Sequence, residues 1–244
     1  MRSFLLPLCA SALLACTVQS SSADATSEPR PLKHSSELPI ERISASHGAF
    51  SDGKKLEIFA AFLGDGFLLV GEGDSVNVDV NGNRVPVRER IEGDKVHYVA
   101  EVSPPPAQPE VVVTLVRGAS KSSTKVDLAR DFELRGVPAS MRAGDVVSID
   151  LEPRPDLPTD GAWRNAVEVR GECLQFESER FELSKDFPLA WDTASLHALP
   201  GSAPCTLDVQ VRVESFGVSS DRDGGLNGLF EGLQHRSFRI ALAR

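Results

Sequence analysis

The sequence predicts an all-β protein of two β-sandwich domains, preceded by an exported leader and a flexible tether. Three observations lead to this. Apolar and polar residues alternate with a period of two through most of residues 41–244, and no window of a dozen residues carries apolar positions at helical spacing. Turn signals punctuate the pattern at short intervals: Gly64-Asp65-Gly66, Asn81-Gly82, Glu92-Gly93-Asp94 and the run SPPPAQP at 103–109. The Ser/Lys-rich stretch GASKSSTKVDLARD, residues 118–131, then reads as the crossing between a domain at 41–130 and a second at 131–244.

At the N-terminus, Arg2 precedes an apolar run from Phe4 to Ala15, long enough for a signal-peptide core and too short to span a bilayer as a helix. Leu13-Leu14-Ala15-Cys16 resembles the lipobox of bacterial lipoproteins, which implies that residues 1–15 are removed and Cys16 is lipidated. Leu14 is a less usual occupant of its position in that motif. A rival cut within Ala23-Asp24-Ala25 lies well beyond the apolar run. Residues 16–40 are rich in Ser, Thr, Pro and Ala with almost no large apolar side chain, so they cannot offset chain entropy by burial. They are expected to form a disordered tether with an r.m.s. reach of about 25 to 30 Å.

In the first sandwich a strand is expected at Lys55 to Phe62. Val76, Val78 and Val80 then alternate with Asn77 and Asp79 up to Asn81-Gly82, which supply the left-handed residues of a tight hairpin. A two-residue turn sets Val78 against Val85, Val76 against Val87 and Asp79 against Arg84. Pro86 removes a ladder donor and places the second arm at a sheet edge. Val96 to Val102 and Glu110 to Arg117 complete this half.

In the second half Val147, Ile149 and Leu151 alternate with polar neighbours. Val167, Val169, Gly171 and Cys173 share one parity, and Cys205, Leu207, Val209, Val211 and Val213 share another. Each cysteine thus points with the apolar face of its strand, the geometry of a disulfide in the core or at the rim of a sandwich. With Cys9 in the leader and Cys16 carrying lipid, Cys173 and Cys205 remain as a pair in an oxidising compartment. A metal site is the weaker alternative, since neither CxxC spacing nor a nearby histidine accompanies them. The last strand is expected at Ser237 to Leu242.

Acidic residues outnumber basic ones, 13 to 11 over 41–130 and 19 to 12 over 131–244, so the chain lacks the basic footprint of a nucleic-acid binder. No GxSxG elbow, HExxH, P-loop or dinucleotide fingerprint occurs, and the five histidines are scattered, so no catalytic residue, metal site or cofactor is assigned. Ser122-Ser123-Thr124-Lys125 matches SxxK by letter but lacks the helix that motif requires. Asp65, Asp74 and the run Asp221-Arg222-Asp223-Gly224 raise calcium as a candidate, against the plainer reading of turn chemistry. Trp163, in a predicted loop, is a candidate sugar platform or a core residue packed on the disulfide. In DRDGGLNGLFEGLQ, residues 221–234, the apolar Leu226, Leu229 and Phe230 mark a candidate partner-binding loop, the alternative being a hairpin folded back on its core.

The lipobox, the tether, GEGDSVNVDVNG, HYVAEV, VTLVRG, DFELRGVPAS and the Cys173/Cys205 pair together resemble lipoproteins of unknown function from myxobacteria-like Gram-negative bacteria. The resemblance implies tandem immunoglobulin-like sandwiches and no assigned activity. The resulting expectation is a non-enzymatic binding or structural module in the cell envelope, joined to the membrane by its N-terminal lipid. Thr17 after the cysteine favours the outer membrane, and the partner would be another envelope protein or a glycan. The alternatives are an envelope hydrolase or carbohydrate-active protein with a loop-built site, and an inhibitor that pairs an edge strand with its target.

Overall fold

The computed structural model describes residues 32–155, 163–184, 186–201, 204–218 and 228–243. The leader and Cys16 lie outside the described residues. Along the chain the strands are β1 (Lys33–His34), β2 (Ser44–Ser51), β3 (Leu56–Leu63), β4 (Leu68–Leu69), β5 (Asp74–Val80), β6 (Asn83–Val85), β7 (Val87–Glu92), β8 (Lys95–Val102), β9 (Glu110–Arg117) and β10 (Ser120–Asp127). They continue as β11 (Glu133–Arg135), β12 (Ser140–Arg142), β13 (Val146–Glu152), β14 (Trp163–Arg170), β15 (Ser178–Leu183), β16 (Leu189–Asp192), β17 (Cys205–Val218) and β18 (Gly228–Ala243). Short 3-10 turns are the only helical segments among the described residues, so the chain is all-β as its alternation predicts.

One nine-stranded sheet runs β15-β14-β17-β18-β2-β3-β8-β7, with β12 beside β18. The four-stranded sheet β10-β9-β5-β6 shares a core with one half of it, and the three-stranded sheet β11-β13-β16 with the other half. This gives two sandwich cores. The first ends at Leu128 and the second begins at Ala129, yet Phe230 of β18 returns to the first. The long strand is what joins them: β17 pairs with it from Cys205 to Val218, while its other edge takes β2 over residues 228–234 and β12 over 241–243. At the crossing, Ser215 Oγ donates to Asp127 O at 2.5 Å, and a Cβ on Gly232 would lie 2.3 Å from Ser215 Oγ and 2.9 Å from Val126. Only glycine permits this approach.

The hairpin forms as predicted between β5 and β6, with Val78 opposite Val85, Asp79 opposite Arg84 and left-handed φ at Asn81 and Gly82. The expected pairing of Val76 with Val87 does not occur. Pro86 ends the ladder, and Val87 opens β7, which crosses to the far edge of the nine-stranded sheet and pairs with β8. Residues 120–127, expected as a connector, form β10 against β9. Their alternation is hidden in sequence because the inward residues, Ser122 and Thr124, are polar although buried.

Residues 32–40 of the expected tether are packed, not free. Arg117 Nη1 donates to Leu38 O at 2.6 Å and its Nη2 to Ser35 O at 2.5 Å, while Ser35 Oγ donates to Asp74 Oδ2 at 2.6 Å. The segment is held through these backbone carbonyls and by Leu32, Leu38 and Ile40, which pack against the first core; three aliphatic side chains set among polar ones carry no strand period that would reveal it. The disulfide joins Cys173 and Cys205 with Cα atoms 6.3 Å apart. Extending the β14–β17 register by three residues sets these two opposite each other, so the bond staples neighbouring strands at the rim of one sheet.

Candidate functional site

The outer face of the nine-stranded sheet carries an unusual apolar run. In β3, Leu56, Ile58, Ala60 and Phe62 enter the first core, so strand alternation turns Phe59, Ala61 and Leu63 to the other side, where a sandwich ordinarily shows polar residues. In β2, Gly48 stands opposite Phe59 and Phe50 opposite Glu57. The Phe50 and Phe59 rings meet edge to face at 5.9 Å. Beyond the end of β3, Phe67 bridges back to Leu63 and packs edgewise on His97 at 5.6 Å. These side chains line a groove of about 330 Å³, with small Gly48 and Ala61 among them and Glu231 the one carboxylate in its lining.

On the opposite face of β2, His47 points into the core. Its ring stacks on Phe230 at 4.9 Å and meets Phe62 edgewise at 5.8 Å. Neither ring nitrogen has a hydrogen-bond partner among the described residues, and burial pushes its pKa down from 6.5 to about 3. A space of about 10 Å³ beside it is bordered by Val111, Val113 and Thr124, at the lower limit for one water.

Across β14, β15 and β17 the same outer face is charged. Glu214, fully buried, accepts from Arg164 Nε at 3.1 Å, Arg180 Nη2 at 2.5 Å and Arg212 Nε at 3.0 Å. Arg212 also reaches Glu168, which accepts from Arg170 at 2.6 Å. Burial works against the ionised Glu168 carboxyl, and the two arginines outweigh it, holding its pKa below the ordinary value. Arg164 further lies over the Phe216 ring at 4.6 Å. The carboxylates are saturated by their own arginines, which makes this a structural network.

The residues singled out in sequence are scattered. Leu226 lies outside the described residues, as do Asp221 and Asp223. Leu229 stands in β18 opposite Val218. Phe230 is not on a partner-facing loop: it is 1% exposed, in the first core, because β18 begins at Gly228 and not near Ser237. Trp163 is likewise no loop platform; it opens β14 and is 7% exposed, in the core that also holds Trp191 and Cys173. Asp65 pairs with Lys33 and Asp74 with Arg117. Among the described residues no group of three or more His, Cys, Asp or Glu could hold a metal ion. The groove residues Gly48, Phe50, Phe59, Leu63 and Phe67 were not singled out. The signal was present in β3, LEIFAAFL, where nearly every position is apolar on both parities.

No family model matches the chain, and no curated protein matches it. Among solved structures, titin domains Z1Z2 in complex with telethonin are 10% identical with a TM-score of 0.23, covering 82% of this chain and 91% of that one. The tandem Ig repeats of Dlar are 10% identical at a TM-score of 0.25, covering 79% and 96%. The mouse nectin-like molecule 4 ectodomain, Ig1 to Ig3, is 9% identical at 0.25, covering 83% of this chain and 64% of that one. At these values the likeness assigns neither family nor activity. The two-core all-β architecture stands on the sheets and cores themselves.

Proposed function

We propose that this chain is a non-enzymatic binding or structural module of a bacterial cell envelope, anchored by lipid on Cys16. The observation that carries the reading is Leu13-Leu14-Ala15-Cys16 directly behind the apolar run Phe4 to Ala15. An ordinary signal-peptidase cut before Cys16 would meet Leu13 three residues back, where a small residue is wanted. The anchor would be followed by residues 17–31 and then by the segment that Arg117 and Asp74 hold against the first sandwich. Thr17 favours the outer membrane, and two or more acyl chains would be needed for a firm hold.

Metabolic labelling with an alkyne fatty acid tests it. The wild type is expected to take up label and fractionate with membranes, and Cys16→Ser to do neither. An unlabelled wild type overturns the reading and leaves a soluble exported protein.

A further inference from the structure

We infer that β15, the strand at one edge of the nine-stranded sheet, is a dimer interface that pairs antiparallel with β15 of a second copy about a twofold axis through Phe181. The inference stands apart from the lipid anchor.

Among the described residues β15 pairs with β14 alone. The direction of its backbone groups follows from the ladders. Ala241 N donates to Ala139 O on the β12 side of β18, so its neighbour Leu242 bonds toward Cys205 of β17. Antiparallel alternation then makes Arg170 with Asp208, and next Val167 with Phe181, hydrogen-bonded pairs. In β15, Glu179, Phe181 and Leu183 therefore bond to β14, and the N–H and C=O groups of Ser178, Arg180 and Glu182 point outward. No proline, lysine or bulge guards this row. Its inward carboxylate, Glu179, is already engaged by the backbone N–H of His197 at 3.2 Å and by the His197 ring at 3.0 Å.

An open edge accepts any extended strand, and here the side chains select a second copy. With Phe181 opposite Phe181, Arg180 of each copy faces Glu182 of the other on the outer face, at the positions whose backbone groups bond across the axis. Centring the pairing on Arg180 or on Glu182 instead sets like charges face to face. Both side chains reach solvent, 38% and 68% exposed, although Arg180 also contacts Glu214 and Glu182 also contacts Arg164. On the inner face the Phe181 ring packs on Trp191 at 6.0 Å, and Phe181 meets its symmetry mate at a non-hydrogen-bonded pair, where side chains approach most closely. Phe176, 51% exposed just before the strand, stands at the rim. The strand has six residues, so the interface is small and the dimer concentration-dependent.

Sedimentation velocity of the full chain carrying Cys16→Ser, so that no lipid contributes, tests this across a wide concentration range. A monomer–dimer equilibrium is expected. Glu182→Pro deletes an outward N–H without touching the β14 ladder, and should weaken the dimer at least tenfold while the thermal melt shows the variant folded. Arg180→Glu alone and Glu182→Arg alone should each weaken it at least tenfold. An equimolar mixture of those two variants restores both unlike-charge pairs and should recover the dimer. A parent chain that stays monomeric, association unchanged in folded Glu182→Pro, or a mixture that associates no better than its two components overturns the proposal.

Discussion

Acid should destabilise the first sandwich through His47. The ring is 6% exposed, stacked on Phe230 of β18, with neither nitrogen hydrogen-bonded among the described residues, and its pKa is pushed down from 6.5 to about 3. A folded-state pKa below the unfolded value means that the unfolded chain binds the proton more readily, so stability is full above about pH 6.5 and drains away as pH falls toward 3. Linkage puts the loss between pH 8 and pH 5 at about 2 kcal/mol, and at about 3 kcal/mol by pH 4. Buried or paired carboxylates such as Asp74 and Glu168 also lose stability in acid, so the comparison must be with His47→Phe, which keeps a flat ring against Phe230 and cannot charge. Urea unfolding at pH 8 and pH 5 should show the wild type losing about 2 kcal/mol more than the variant. Equal losses in the two proteins, or an NMR titration of His47 centred near 6.5, would refute the reasoning.

Two further tests concern how the ends of the structure are held. Arg117→Ala leaves the nearly inaccessible Asp74 carboxylate without its cation and removes the donors to Ser35 O and Leu38 O. It should cost roughly 3 kcal/mol, and hydrogen exchange should rise first in residues 33–38. Because Arg117 holds the Asp74 carboxyl below its ordinary pKa, that contribution is present above the unfolded value and is lost as pH falls through the folded one; the variant should show a weaker acid dependence. Replacing Cys173 and Cys205 by alanine opens a loop with a sequence separation of 32 and should cost roughly 3 to 4 kcal/mol by the chain-entropy model. Urea denaturation of the full chain checks this, and a midpoint unchanged by the double substitution would contradict it.

Much of the architecture was legible because strands write a period of two into the sequence. The β5–β6 hairpin could be registered to the residue, since Asn81-Gly82 fixes a two-residue turn and both faces then match. The cysteine pair could be assigned from parity and count. Where the period is spoiled the reading failed. β10 turns Ser122 and Thr124 inward, so its buried face looks polar. β18 starts with Gly228 and Gly232, whose absent side chains break the alternation although they are the reason the strand can lie close against Ala45 and Ser215. The Val76–Val87 pairing failed because sequence can show that Pro86 ends a ladder, but not that the next residues cross to the other sheet. The outer-face groove was missed because a short apolar strand looks the same whether one or both of its faces are covered.

By itself the sequence determined the fold class, the strand hairpin, the disulfide partners and the acidic, motif-poor character of the chain. These are local or countable: alternation, turn chemistry, cysteine parity and charge do not depend on which strands become neighbours. Only the tertiary structure decided that the two cores share one sheet through β18, that Phe230 and Trp163 are buried, that Arg117 and Asp74 clamp residues 35–38, and that the outer face of β2 and β3 carries an apolar groove. Each of these depends on contacts between residues far apart in the chain, and which face of a strand meets water is settled by what packs against it.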